Sequence, residues 1–338
     1  MFFMNPTRDI KQETIKLGFD LVGVTDASPI DAKQAQLFAA WLESGFAGQM
    51  DYMRRNLQKR LDPTKLLEQA RSIIVVGLNY TPPRPKLKSA EHAPSGMRAQ
   101  ASRAQPRDLP IAPTGKVADY AQYEDYHPFM KERLHQLVDF MSSSCRDAFN
   151  FKICVDSAPV PERALAVRAG LGFIGKNHML INPQLGCEIF LGEIITDLEL
   201  QPDEPVAVGC ADCNKCIEAC PTGALRPDGQ FDANRCINYL TIEYRGSIPA
   251  ELAEKMGGRL FGCDECVLAC PYQKDAPVCR NKQFRFYPDR AQINLHEILS
   301  LPPESFDTKF ADSPLKRVGL NGLKRNAAIC LANINGQP

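Results

Sequence analysis

The chain has 338 residues, of which 44% are hydrophobic, enough to bury the core of two domains or of one large domain with an appendage. The chain has 40 Lys and Arg and 40 Asp and Glu, so its overall charge gives no information about a partner. Any basic surface must come from local patches. No apolar run reaches the roughly 18 residues of a membrane span and no signal sequence is evident, so we expect a cytoplasmic protein.

Helix and strand patterns alternate over about the first 200 residues. Apolar, β-branched runs predict strands and amphipathic spacing predicts helices. This alternation predicts an α/β or α+β domain over residues 1–204. In chain order the pattern predicts helix 8–18, strand 21–27, helix 31–57, strand 72–80, helix 125–145, strand 151–156, helix 161–169 and strand 187–196.

The segment 81–114 interrupts this alternation. It contains seven prolines, six Lys or Arg and only two acidic residues. This composition predicts a flexible loop. We favour a solvated insertion over a basic arm that binds nucleic acid.

The cysteine spacing is the most specific motif. Residues 210–221 read CADCNKCIEACP, the bacterial ferredoxin pattern for a [4Fe–4S] cluster whose fourth cysteine reaches a second cluster. Residues 263–271, CDECVLACP, form a second run without its first cysteine, which Cys236 replaces. We therefore expect two clusters in a module at 205–280, one held by Cys210, Cys213, Cys216 and Cys270, and the other by Cys220, Cys236, Cys263 and Cys266.

Other metals and cofactors are less consistent with these motifs. CxxC pairs also form zinc ribbons, but two CxxxCP endings favour clusters. The thiolates must stay reduced, which fits the cytoplasm. The glycines at 170–175 match GxGxxG, but they follow a predicted helix instead of a strand, so they do not predict a dinucleotide site.

Asp156 is the strongest candidate for acid–base chemistry. It ends the predicted strand 151–156, and sites lie at strand ends in α/β proteins. Apolar neighbours would raise its pKa and let it act as an acid. The alternative is that Asp156 only caps the following helix.

Several segments together resemble the epoxyqueuosine reductases. They are RLDPTKLLEQARSIIVVGLNY at 60–80, DYAQYEDYH at 119–127, VDSAPVPERALAVRAGLGFIGKN at 155–177, LTIEYRGSIPAEL at 240–252 and the two cysteine runs. The resemblance implies an enzyme that uses two [4Fe–4S] clusters and cobalamin, as reductive dehalogenases do. It would reduce the epoxide on the cyclopentane of a modified tRNA wobble base and so form queuosine.

The resemblance also implies roles for residues. Asp156 would donate a proton to the epoxide oxygen. Base-off cobalamin would lie against the 1–204 domain, and the residues that would contact it are Arg60, Tyr120, Asp156, Asn177 and His178. The tail, 281–338, resembles the start of a HEAT-like helical C-terminus that contacts tRNA, and we expect a basic face formed by Arg245, Arg317, Lys324 and Arg325.

The partners expected from this resemblance are tRNA and a low-potential electron donor such as ferredoxin or flavodoxin, with the chain a monomer. Two features depart from the family pattern: the loop at 81–114 is longer than expected, and the helical tail is shorter. Three other functions stay open from the sequence. They are a cobalamin-dependent dehalogenase of small molecules, a ferredoxin fused to an inert domain, and an RNA-binding protein with structural clusters.

Overall fold

The computed structural model describes residues 6–84, 112–144 and 148–336, so most of the predicted loop at 81–114 lies outside the described residues. Within those residues, no helix combines the length and the apolar character needed to cross a bilayer. The strands are β1 Leu21–Asp26, β2 Ser72–Asn79, β3 Thr114–Val117, β4 Phe151–Cys154, β5 Phe173–Ile174, β6 Leu180–Ile181, β7 Ile189–Thr196, β8 Arg259–Phe261 and β9 Gln292–Asn294.

The described residues contain helices of 4 to 19 residues. They are α1 Pro6–Lys16, α2 Ala32–Glu43, α3 Tyr52–Arg55, α4 Leu57–Leu61, α5 Tyr126–Ser144, α6 Glu162–Arg168, α7 Lys215–Glu218, α8 Ile237–Ile242, α9 Ala250–Met256, α10 Glu265–Leu268, α11 Pro271–Lys274, α12 Leu295–Ser300, α13 Pro303–Lys309 and α14 Gly319–Ile334.

The main sheet has the strand order β1-β2-β7-β4, and every neighbouring pair is antiparallel. The four predicted strands are therefore present and pair with one another. The fold class is confirmed, and the antiparallel pairing makes this domain α+β. Strand-end rules for parallel sheets consequently do not explain where Asp156 lies.

Alternate residues of β2 face opposite sides of the sheet, as a pleated strand requires. Ile74 and Val76 join the core beneath α5, whereas Ile73 and Val75 join the core beneath α6. All eight residues of β2 and of β7 are buried. The loop between β4 and α6, which carries Asp156, is therefore attached to a fully packed sheet.

The predicted helix over 31–57 is wrong in its second half. Helix α2 ends at Glu43, and the chain turns through Gly45 and Gly48, both with positive φ. A Cβ at Gly48 would lie 2.3 Å from the Tyr239 hydroxyl oxygen, so this turn also allows close approach to the cluster module. The short helices α3 and α4 follow.

A second, three-stranded sheet joins distant parts of the chain. Strand β3 pairs with β8 in parallel and with β9 in antiparallel orientation. Helices α12 and α14 share a core with these strands that includes Val117, Phe261 and Leu323. The helical tail therefore packs directly on the cluster module, and the boundaries at 204 and 280 stay predictions.

Candidate active site and cluster sites

Asp156 lies two residues beyond the end of β4, in a strained backbone conformation. Its φ is +53°, which costs an L-residue about 1–2 kcal/mol, and its side chain is 60% exposed. Its backbone N–H donates to Glu162 Oε1 at 2.6 Å. Helix α6 begins after Pro161 without a side-chain cap, so the alternative that Asp156 only caps this helix is wrong. Strain that is held in an open cleft is typical of functional sites.

His127, the second residue of α5, connects Asp156 to another carboxylate. Its Nε2 lies 3.3 Å from Asp156 Oδ2, and its Nδ1 lies 2.7 Å from Asp125 Oδ1. Carboxylates only accept hydrogen bonds, so both ring nitrogens carry protons. Burial lowers the pKa of His127, but these two contacts outweigh burial and raise the pKa to about 9. The imidazole is therefore positively charged at neutral pH.

The expectation that apolar neighbours raise the pKa of Asp156 is wrong. The hydrogen bond from His127 lowers this pKa, and it outweighs the opposing effect of burial. Asp156 is thus an ionised carboxylate in the free site, and the exchangeable proton is on His127. The two side chains therefore act together as a proton donor: His127 holds the proton, and Asp156 accepts a hydrogen bond from it.

Two further carboxyl groups lie behind Asp156. Burial, together with the negative charge of Asp156, raises the pKa of Glu162 to about 7. Glu193, on β7, is fully buried, and neither of its carboxyl oxygens has a hydrogen-bond partner among the described residues. Burial and the charges of Glu162 and Asp156 raise the pKa of Glu193 far above its usual range, so it is a neutral carboxylic acid.

Arg60 and Tyr120 lie at the same cleft as Asp156. Arg60 donates from Nη1 to the Val160 carbonyl at 3.4 Å, and its buried Nε has no partner among the described residues. Burial raises the pKa of Tyr120, and the charges of Asp264 and Asp156 raise it further, so both carboxylates lie within electrostatic range of its hydroxyl group. The charge of Asp156 also acts on Arg60, so both predicted residues lie in the neighbourhood of Asp156.

Asn177 and His178 are placed differently from each other. Asn177 is buried and donates from Nδ2 to the Cys266 carbonyl at 3.4 Å and to Cys187 Sγ at 3.8 Å. Its side chain is thus committed to the cluster module, which does not support a cobalamin contact. The His178 ring is 5.6 Å from that of Phe231, and its role stays a prediction.

The cysteines of the first predicted cluster line one cavity. Lys176 contributes a backbone N–H that donates to Cys210 Sγ at 3.4 Å, a contact that favours the thiolate. Cys270 comes from the second run, so the structure brings together the crossed set that the spacing predicts. The four sulfur-bearing side chains in this cavity are Cys210, Cys213, Cys216 and Cys270.

The cysteines of the second predicted cluster are also neighbours. Burial raises the pKa of Cys266, and nearby thiolates raise it further, namely those of Cys236, Cys263 and Cys220. Among the described residues, no three Cys, His, Asp or Glu side chains approach closely enough to bind a single metal ion.

The predicted basic face is only partly available to a ligand. The guanidinium of Arg325 donates to the carbonyl oxygens of Tyr244, Gly246 and Leu240 at 2.7–2.9 Å. Its donors are therefore used within the protein, which does not support a tRNA contact.

Arg245 is held in a similar way, since it donates to the carbonyls of Ile242, Val318 and Arg317. Arg317 is different. It pairs with Glu243 at 3.1 and 3.2 Å, is 58% exposed, and has its guanidinium 6.0 Å from the Tyr52 ring. Its charge also lowers the pKa of Asp156, so Arg317 lies within electrostatic range of that carboxylate. Lys324, like Arg317, stays a predicted contact.

Sequence reasoning missed four ionisable residues of this site, namely Asp125, His127, Glu162 and Glu193. His127 and Asp125 belong to the segment DYAQYEDYH, but no catalytic motif singles them out. Glu193 had a detectable signal, because a carboxylate inside the apolar strand IFLGEIIT is rarely buried without a reason. Polar residues in buried strands are therefore worth testing as site candidates.

Two family descriptions match parts of the chain. "Epoxyqueuosine reductase QueG, DUF1730" matches residues 60–157, which include Arg60, Tyr120, His127 and Asp156. "4Fe-4S double cluster binding domain" matches residues 209–273, which include all eight predicted cluster ligands. The matched ranges thus cover the cleft and both cysteine runs.

Curated relatives and solved structures extend the likeness to nearly the whole chain. The epoxyqueuosine reductase of Escherichia coli (strain K12) is 36% identical over 96% of this chain and 80% of its own length. The structure of epoxyqueuosine reductase from Streptococcus thermophilus has a TM-score of 0.83 at 31% identity, over 98% of this chain and 82% of that one.

A crystal structure of epoxyqueuosine reductase with an epoxyqueuosine-modified tRNA-Tyr stem loop has a TM-score of 0.84 at 30% identity, over 96% of this chain and 80% of that one. Sequence and structure therefore agree over the cleft, both cluster sites and the helical tail. The chain belongs to the epoxyqueuosine reductase family and is an oxidoreductase.

Proposed function

We propose that this enzyme reduces epoxyqueuosine to queuosine in tRNA, with the His127–Asp156 pair supplying a proton to the epoxide oxygen. The observation that carries the proposal is Asp156 itself, which is strained, open to the cleft and hydrogen-bonded to a protonated His127. Opening an epoxide places negative charge on its oxygen, and a positioned acid lowers that barrier, typically by about 10²–10⁴-fold in rate.

The cleft fits cobalamin as the reducing group. The unpartnered Nε of Arg60 needs an acceptor, and the amide side chains of a corrin offer several. Arg60 and Tyr120 would hold the macrocycle between Asp156 and the second cysteine set. Bound there base-off, cobalamin would supply low-potential reducing power, which the side chains of the chain cannot provide.

The protein's own groups set the proton chemistry. His127 keeps its proton on Nε2, adjacent to Asp156 Oδ2, because Asp125 holds the other ring nitrogen. As charge develops on the epoxide oxygen, Asp156 takes the proton from His127 and passes it to that oxygen. Asp156 is then a carboxylate again, and His127 is a neutral imidazole between two carboxylates.

The two cluster sites provide a route for electrons from the protein surface. A low-potential donor such as ferredoxin or flavodoxin would reduce the clusters one electron at a time. The substrate side of the proposal rests on the relative bound to a tRNA stem loop. The exposed Arg317, within electrostatic range of Asp156, offers a contact for its phosphates. We infer action as a monomer in the cytoplasm, where tRNA is made and thiolates stay reduced.

The test is nucleoside mass spectrometry of tRNA from cells that accumulate epoxyqueuosine. They would be complemented with wild type, with Asp156→Asn, or with Asp139→Asn, a matched change at an exposed position on α5. We expect queuosine from wild type and Asp139→Asn alone. No conversion by wild type, with both clusters and cobalamin shown to be present, would refute the tRNA substrate and favour a small-molecule reductase.

A further inference from the structure

Burial of the Glu193 carboxyl group destabilises the fold, and no hydrogen bond among the described residues compensates for it. Its side chain is fully buried in the central strand β7, and both carboxyl oxygens lack partners among the described residues. Burying an unpaired polar group costs about 1–3 kcal/mol in proteins. Glu193 on β7 pairs with Cys154 on β4. Cys154 lies two residues before Asp156 in the chain. A buried acid directly beneath a catalytic loop is a candidate for function.

Glu162 connects this acid to Asp156. It lies at the start of α6, accepts the Asp156 backbone N–H at 2.6 Å, and interacts electrostatically with Glu193. The three carboxyl groups therefore form a series from the core to the cleft, with Glu193 innermost. Two carboxylates that lie close together do not both ionise readily, so at least one of the inner two is protonated at neutral pH.

The reaction requires more protons than the His127–Asp156 pair holds. Removing an epoxide oxygen and leaving a carbon–carbon double bond breaks two C–O bonds and releases the oxygen as water. The balance is two electrons and two protons. The clusters supply the electrons, and the His127–Asp156 pair supplies one proton. The acids beside Asp156 can supply the second proton, since the pKa values of Glu162 and Glu193 are both raised.

We propose that Glu162 and Glu193 form a proton store that recharges Asp156 within each turnover. After Asp156 has protonated the epoxide oxygen, Glu162 gives it a second proton, and Asp156 delivers that proton to the departing hydroxyl, which leaves as water. Glu193 then passes its proton to Glu162 after a side-chain movement that brings the two carboxyl groups into contact, because neither oxygen of Glu193 has a hydrogen-bond partner among the described residues. The store refills from solvent once the product leaves.

The charged neighbours of Glu162 favour an intermediate proton affinity. Burial and the charge of Asp156 favour its protonated form, whereas Arg163 and Arg60 favour its ionised form. Tyr126 and Cys154, on α5 and β4, also face this group, and both stay neutral near pH 7. Protonated Glu162 is therefore available near neutral pH but is depleted above it.

Infrared difference spectroscopy of the loaded protein tests the store without turnover. Wild type should show a carboxylic-acid C=O component from Glu162 that disappears as the pH rises through about 7 and a component from Glu193 that persists above it. Buried Asp264 and Glu188 also have raised pKa values and contribute bands of their own, so each component is assigned from the difference between the wild-type and variant spectra. Glu162→Gln should remove the first component and Glu193→Gln the second. Glu199→Gln, whose side chain is 79% exposed, should remove neither. Difference spectra in which neither change removes a carboxylic-acid component would overturn the store.

Single-turnover conversion separates proton supply from positioning. Glu162→Gln keeps an oxygen that accepts the Asp156 N–H but carries no exchangeable acid proton, whereas Glu162→Ala loses both functions. We expect Glu162→Gln to slow queuosine formation by about tenfold or more and to lose the pH dependence near neutrality. Wild-type rates in Glu162→Gln combined with slow Glu162→Ala would show positioning alone and refute the proposal.

The Glu193→Leu variant tests whether slower conversion could result from a loss of folding stability. It should melt at or above the wild-type temperature, since it removes an unpartnered polar group, yet convert more slowly. A lower melting temperature with an unchanged conversion rate would assign Glu193 a structural role instead. This inference rests on the proposed reaction. Failure of wild type to convert would refute that reaction, and the infrared bands would still decide whether the store exists.

Discussion

Asp125→Asn should lower the pKa of His127 while leaving the Asp156 side chain unchanged. His127 is held by two carboxylates, and the contact to Asp125 is the shorter, at 2.7 Å against 3.3 Å. Replacing Asp125 with asparagine removes one negative charge and keeps the side-chain shape. We expect the pKa of His127 to fall from about 9 by at least one unit.

The size of the effect follows from the raised pKa. A rise from 6.5 to about 9 corresponds to about 3.4 kcal/mol at 1.36 kcal/mol per unit. The His127 side chain is 31% exposed, so solvent screening reduces the stabilisation to about 1–2 kcal/mol. Because the folded-state pKa is raised, this stabilisation is complete below pH 6.5 and is lost as the pH rises towards 9.

Two assays measure the change. Proton NMR follows the five histidines of the chain through the titration, and a His127→Gln sample assigns the resonance. Urea unfolding at a series of pH values should show wild type losing stability between pH 6.5 and 9, and Asp125→Asn losing less. A wild-type His127 that titrates near 6.5, or an unchanged pKa in Asp125→Asn, would refute the charged His127–Asp156 pair.

Three further changes have clear expected outcomes. Asp156→Asn should slow queuosine formation by about 10²-fold or more, while the absorbance of both clusters stays unchanged. Near-normal conversion would show that Asp156 is not the proton donor. Cys236→Ser should halve the iron content, whereas Cys279→Ser should leave it unchanged; equal iron in both variants would contradict the crossed ligation. Arg325→Ala should lower the free energy of unfolding by about 1–3 kcal/mol, since three carbonyls lose their donors, and Lys324→Ala should change it little; similar losses would contradict this structural role.

Local patterns predicted most elements because their residues are locally consistent. Strand β2 is an unbroken apolar run, and α6 lies between Pro161 and Gly170, so both follow from short-range rules. The error over 31–57 arose because the turn that contains Gly48 serves a long-range contact with Tyr239. Nothing within the segment reveals that partner.

The candidate site was likewise predictable where its residues are close in sequence and not where they meet only through the fold. The cysteine spacing predicts the cluster ligands, since adjacent ligands lie on short loops. The pKa of Asp156 was not predictable, because His127 is 29 residues away and reaches it only through the fold. Likewise, Arg325 is basic in sequence, but only the packed structure shows that its donors are occupied.

The position of β3 has a consequence for how the protein is made. This strand lies between β8 and β9, so its sheet forms only when the ribosome has added about 180 further residues, which takes about 10–35 s at bacterial synthesis rates. Cys263 follows β8 after one glycine, so the pocket for its cluster is framed only then. Such long-range pairing is slow to fold. Cluster insertion therefore acts on a nearly finished chain, and early oxidation of waiting thiols would compete with it.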